Sequence, residues 1–126
     1  MKKEQKSILV IDDSNSIRSF IKFILEEKNY KVVEAENGLI GIDKFKTENF
    51  DLVITDIYMP LCSGLEVVVK LREEYADLKV IVLSDGGEKH FSNVKEVCED
   101  LGACCFLSKA NIKNDLLKIV STIFND

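Results

Sequence analysis

Asp12-Asp13, Asp56, Ser84 and Lys109 each end, or directly follow, a short apolar run of this 126-residue chain. Three carboxylates brought together would repel one another unless a cation neutralised them. An all-oxygen set suits a hard ion such as Mg²⁺, which keeps several of its waters. A lysine beside them offers a point charge to phosphate oxygens, and a hydroxyl offers one of those oxygens a hydrogen bond. An aspartate can itself be the nucleophile and become an acyl phosphate. Singly, an aspartate after a strand is usually a turn or capping residue. The same edge filled at several strand ends points instead to phosphoryl chemistry.

Such convergence needs rigid elements, and the stretch at 50–64, FDLVITDIYMPLCSG, shows one. Its run at 52–55 is short, β-branched and non-alternating, which reads as a strand buried on both faces and ending at Asp56. Pro60 keeps Met59 out of the helical region, and Gly64 permits a tight turn before the next helix. Further strands are predicted at 8–11, 31–35, 80–83 and 104–107. Between them Ile17, Phe20, Ile21, Ile24 and Leu25 recur at helical spacing, with Ser14 or Asn15 as cap. Leu39, Ile42 and Phe45 mark a weaker helix, in which Gly41 costs propensity. Leu65, Val68 and Leu71 mark a third. Val94, Val97, Cys98 and Leu101 mark a fourth, stopped by Gly102, and Ile112, Leu116, Ile119, Val120 and Ile123 a fifth. This succession requires parallel pairing through right-handed crossovers. The expected fold is α/β, a doubly wound five-stranded parallel sheet flanked by five helices, with ligands in the crevice outside the strand C-termini.

The length and the 46% hydrophobic content support one domain with its own core. A net charge of −5, and no basic run beyond Lys2-Lys3, argue against a nucleic-acid partner. No apolar run approaches the roughly 20 residues that span a membrane, and no leader pattern is visible, so a cytoplasmic protein without membrane insertion is expected. Cys62, Cys98, Cys104 and Cys105 lack paired metal-ligand spacing, and His90 alone does not complete a zinc site. Cys104 and Cys105 read as core residues and Cys98 as helix packing.

The spaced motifs VIDDS, DLVITDIYMP, VIVLS and CFLSK, taken as a set, resemble those of a bacterial two-component response-regulator receiver domain of the chemotaxis single-domain type. The resemblance spans residue 8 to about 124. It implies a flavodoxin-like three-layer sandwich with strand order 2-1-3-4-5. It also implies Asp56 as phosphoacceptor and Mg²⁺ bound by Asp13, Asp56 and the backbone carbonyl of Tyr58, with Asp12 acting mainly through a metal-bound water. Ser84 takes the place of the switch hydroxyl, Phe106 of the switch aromatic and Lys109 of the phosphate-binding lysine. By the same resemblance the chain is a monomeric signalling protein rather than an enzyme. The resemblance further implies that a sensor histidine kinase or phosphotransfer protein phosphorylates it and that a separate downstream effector protein reads it. A single receiver domain over 1–126, with its core at about 7–124 and no output domain, is expected.

Three positions depart from that pattern. Ala110 follows Lys109 where the family has a proline in a cis peptide; a cis non-proline bond costs about 2.5–4 kcal/mol, so a trans, rearranged loop is expected. Asp85 replaces a small residue after the switch hydroxyl, ahead of a longer, mobile Gly86-Gly87 loop. Cys62-Ser63 replaces an acidic residue before Gly64, with an effect expected on the turn alone. By the resemblance, Asp85 and Tyr58 project from loops that in the family flank the approach of water to an acyl phosphate, so slow autodephosphorylation is expected. Two other classes fit less well. An aspartyl-phosphate phosphatase wants Asp-x-Asp after its first strand and a cap domain. A flavin-binding relative needs a phosphate-cradling first loop, which Asp12-Asp13 would repel. A receiver that no longer accepts phosphate would not keep Asp13, Asp56, Ser84 and Lys109.

Overall fold

The computed structural model describes residues 4–85 and 105–125 together with Glu96 and Asp100. Five strands, β1 (Ser7–Ile11), β2 (Lys31–Ala35), β3 (Leu52–Asp56), β4 (Lys79–Ser84) and β5 (Cys105–Ser108), form one parallel sheet in the order β2-β1-β3-β4-β5. Four helices accompany them among the described residues: α1 (Asn15–Glu26), α2 (Gly38–Thr47), α3 (Gly64–Glu74) and α4 (Ile112–Phe124). The further helix expected around Val94 to Leu101 lies outside the described residues, except that Glu96 and Asp100 are helical and exposed. The Gly86-Gly87 loop, His90, Cys98 and Cys104 also fall outside them.

The strands lack polar alternation because both faces of the sheet are covered. On one face Leu9, Ile11, Val53, Val80 and Val82 pack with Phe45 of α2 and Val67, Val68 and Leu71 of α3. On the other Ile8, Val10, Leu52, Ile54, Ile81, Leu83 and Leu107 pack with Ile21 and Leu25 of α1 and Leu116 and Val120 of α4. Alternate positions along each strand thus serve different layers, which is the three-layer arrangement the apolar runs require.

Local chemistry sets the helix starts. Ser14 caps α1, its side chain accepting from the Ile17 amide, and Asn37 does the same for α2 through the Ile40 amide. Ser63 does more than shape a turn: it closes a capping box with Glu66 at the start of α3. The glycine inside α2 has a packing reason, since a Cβ on Gly41 would come within 2.4 Å of Ile11 Cδ1 and hold the helix off β1.

The turn after β3 differs from expectation in its strained residue. Gly64 is needed for close approach, because a Cβ there would lie 2.2 Å from the Asp56 carbonyl oxygen. The left-handed conformation falls instead on Leu61, at φ 72°, beneath a bond in which the Cys62 amide donates to the Pro60 carbonyl at 2.8 Å. The fifth strand ends one residue later than predicted, at Ser108, and its described register pairs Ile81 with Cys105 and Ser84 with Ser108.

Candidate functional site

The ends of β1, β3, β4 and β5 bring the acidic residues, the serine and the lysine to one edge of the sheet. Asp12 follows β1 and is fully buried; its amide donates to the Ala35 carbonyl at 3.1 Å, continuing the ladder to β2 by one residue. Its Oδ1 accepts from the Ser14 amide at 2.8 Å. Asp13, next in the loop, is exposed. Asp56 closes β3 at 4% exposure, and the Ile57 amide after it donates to the Leu83 carbonyl, so Asp56 is anchored to β4 on its C-terminal side. Ser84 ends β4 and is buried.

Lys109 begins a short 3₁₀ turn, Lys109–Asn111, in which the Ser108 hydroxyl accepts from the Ala110 amide. No peptide bond among the described residues is cis, in line with the expectation for Lys109-Ala110. The lysine reaches the acidic cluster without the proline: its Nζ lies 3.1 Å from Asp12 Oδ2 and 3.3 Å from Asp56 Oδ2. It also lies 3.8 Å from Asp85 Oδ1, although Asp85 is largely exposed. Phe106 is half-buried and packs toward the α2 and α3 layer, at the β5 position paired with Val82. Tyr58 is half exposed in the loop after β3.

Electrostatics at this edge follow from burial. Loss of water pushes the Asp56 carboxyl up to about 6, helped by the charges of Asp12 and Asp13 and opposed by Lys109. Burial works to lower the Lys109 ammonium as well, but the charges of Asp56 and Asp12 outweigh it and hold the group above its ordinary value. One ammonium therefore faces more carboxylate than it can neutralise.

The residues fit a hard divalent ion. Carboxylate oxygens from Asp12, Asp13 and Asp56 lie within 4.8 Å of one another, without cysteine or histidine among them. Asp12 Oδ2 is buried with no hydrogen bond aligned on it, even though the Lys109 charge is near. A cation would satisfy that oxygen, which burial otherwise leaves at a cost.

Sequence reasoning missed two participants. Arg18 is buried and its guanidinium donates to the Asp12 carbonyl and the Asn15 side chain, while Glu34 on β2 accepts from it at 3.2 Å. The available signal was an arginine three residues before Ile21, on the buried face of α1. Thr55, read only as strand, donates its buried hydroxyl to the Asp56 carbonyl at 3.0 Å.

Comparison with known proteins agrees with this geometry. The chain is 30% identical over 118 residues to the chemotaxis protein CheY of Halobacterium salinarum, covering 94% of this chain and 96% of that one. It is 40% identical over 85 residues to the transcriptional regulatory protein ResD of Bacillus subtilis; this covers 68% of the chain but only 35% of ResD, so the chain matches about a third of that relative. A structure of the response regulator TrrA from Thermotoga maritima, in complex with Mg²⁺-BeF, superposes with a TM-score of 0.83 at 35% identity over 94% of this chain and 99% of that one. The described residues contain no helix long and apolar enough to cross a membrane. Residues 8–121 match the response regulator receiver domain, and with the same sheet order, acidic cluster and lysine in place, the chain belongs to that family.

Proposed function

We propose that Asp56 accepts a phosphoryl group from the phosphohistidine of a sensor kinase or phosphotransfer protein, and that the modification switches a protein-binding surface read by a separate effector protein. The observation that carries this reading is the sharing of the Lys109 ammonium between Asp12 and Asp56, within 3.3 Å of each, beside a carboxylate cluster that one cation does not neutralise. A carboxylate oxygen of Asp56 attacks phosphorus; the new O–P bond forms as the N–P bond breaks, and the electron pair of that bond leaves with the imidazole. Asp13 and Asp56, with the Tyr58 carbonyl and with Asp12 through a water, would hold Mg²⁺, which when bound would neutralise the charge gathered at the transferred group. Lys109 exchanges its contact with Asp56 for a phosphoryl oxygen, and the Ser84 hydroxyl donates to another. Movement of Ser84 toward the phosphoryl group opens space for the Phe106 ring to turn inward, so that two packings of the β4 and β5 edge exchange populations.

Residues 1–126 act as one cytoplasmic receiver unit in this proposal. The match to Halobacterium CheY along nearly its full length supports a chemotaxis-type role, and TrrA bound to Mg²⁺-BeF supports Mg²⁺ as the ion. The test is intact mass after incubation with a small phosphodonor such as phosphoramidate, with and without Mg²⁺. Wild type is expected to gain one phosphoryl group only with the ion, and Asp56→Asn none at that position. Equal labelling of Asp56→Asn would sink the assignment.

A further inference from the structure

Among the described residues the buried polar side chains are Asp12, Arg18, Thr55, Asp56 and Ser84. Arg18 is the cation of the set, and it sits behind the acidic cluster. Its donors are divided three ways: Nε to Glu34 Oε1 at 3.2 Å, Nη1 to the Asp12 carbonyl, and Nη2 to the Asn15 side-chain oxygen. Asp12 and Asn15 are the two ends of a four-residue stretch that contains both Asp12 and Asp13. Inside that stretch the Ser14 amide already donates to Asp12 Oδ1. The guanidinium thus holds the Asp12 backbone on one side of Asp13 and the Asn15 side chain on the other, and ties both to β2.

The planar fork of arginine does what a point charge does not, because it bonds three separate acceptors in a fixed plane. Glu34 has a second part in this arrangement. A buried guanidinium close to a divalent ion would repel it, and Glu34 supplies the countercharge, steadied by Lys22 at 3.9 Å and by Lys44, whose Nζ donates to the Glu34 carbonyl at 2.6 Å. We infer that Arg18, neutralised by Glu34 and braced on Asn15, is a positioning residue that sets the Asp12-Asp13 loop for divalent-cation binding. This rests on the Mg²⁺ reading of the acidic cluster.

Mg²⁺ alone is titrated calorimetrically into wild type, Arg18→Met, Arg18→Lys and Asn15→Ala, and thermal unfolding of each metal-free protein is recorded. Groups that orient metal ligands typically change affinity by about 10–100-fold when lost. Arg18→Met is expected to weaken Mg²⁺ about 10-fold, and Arg18→Lys, which keeps the charge but not the fork, to remain several-fold weak. Asn15 is exposed and meets one of the three Arg18 donors, so Asn15→Ala is expected to lower metal-free unfolding far less than Arg18→Met while still weakening Mg²⁺ several-fold; it decides the matter should Arg18→Met fail to fold. A purely structural Arg18 would lower unfolding temperature and leave the affinity alone. Wild-type affinity in the folded variants would overturn the inference. Absence of Mg²⁺ binding in wild type itself would overturn both it and the reading on which it rests.

Discussion

Asp56 has a carboxyl at about 6 in the folded chain against 3.8 when unfolded, so the metal-free protein is linked to pH through this group. Between those values the folded state binds more protons than the unfolded state, and stability falls as pH rises. Below about 4 the penalty is absent, and above about 6 it is complete. Urea unfolding in chelator from pH 4 to 7 is expected to show this decline, and Asp56→Asn to flatten it. Asp85 acts at the same scale. Its carboxylate lies 3.8 Å from the Lys109 ammonium, for which it would compete with phosphoryl oxygens under the proposed function, and the half-exposed Tyr58 stands two residues beyond Asp56. Asp85→Ala and Tyr58→Asn are each expected to speed decay of phosphorylated Asp56 several-fold with Mg²⁺ saturating, followed by intact mass over time. Unchanged decay in both would remove these side chains from the control of water access.

At the scale of elements, two glycines separate backbone contact from side-chain contact. A methyl group on Gly64 would meet main-chain atoms of Asp56 and Ile57, which move only if the end of β3 moves, whereas one on Gly41 would meet the flexible end of Ile11. Gly64→Ala is expected to cost about 1–3 kcal/mol and to reduce labelling of Asp56. Gly41→Ala is expected to cost less, because better helix propensity, worth about 1 kcal/mol, offsets the crowding. Urea midpoints at constant m-value measure both. Ser63 gives α3 its capping box at the same turn, which fixes the helix start beside the loop that follows Asp56.

Across the whole molecule the proposed switch requires β5 and α4 to respond to chemistry at the end of β3. Phe106, half-buried beside the paired Val82, is placed to report on packing there. Phe106→Ala is expected to accept phosphate at the wild-type rate but to fail to shift the NMR signals of the exposed face carrying Lys113 and Lys118 when a beryllofluoride mimic is bound. Shifts confined to the surroundings of Asp56 in wild type would contradict the switch.

How much of this was written in the sequence depends on the range of the forces involved. The β-α succession was legible because burial on both faces demands unbroken apolar runs, as at Leu52 to Ile54, and because a one-sided helix such as α1 repeats its apolar residues every turn. The residues at the strand ends were legible for the same reason, since a strand's last position follows from where its apolar run stops. What the sequence did not disclose were contacts across elements: Arg18 on the Asp12 carbonyl, the reach of Lys109 to Asp12, Asp56 and Asp85, and the positive φ at Leu61 rather than a glycine. Those depend on the three-dimensional register of β1, β3 and β5 and on how much water burial excludes. No local pattern in the chain encodes either quantity, and only the packed tertiary structure decides them.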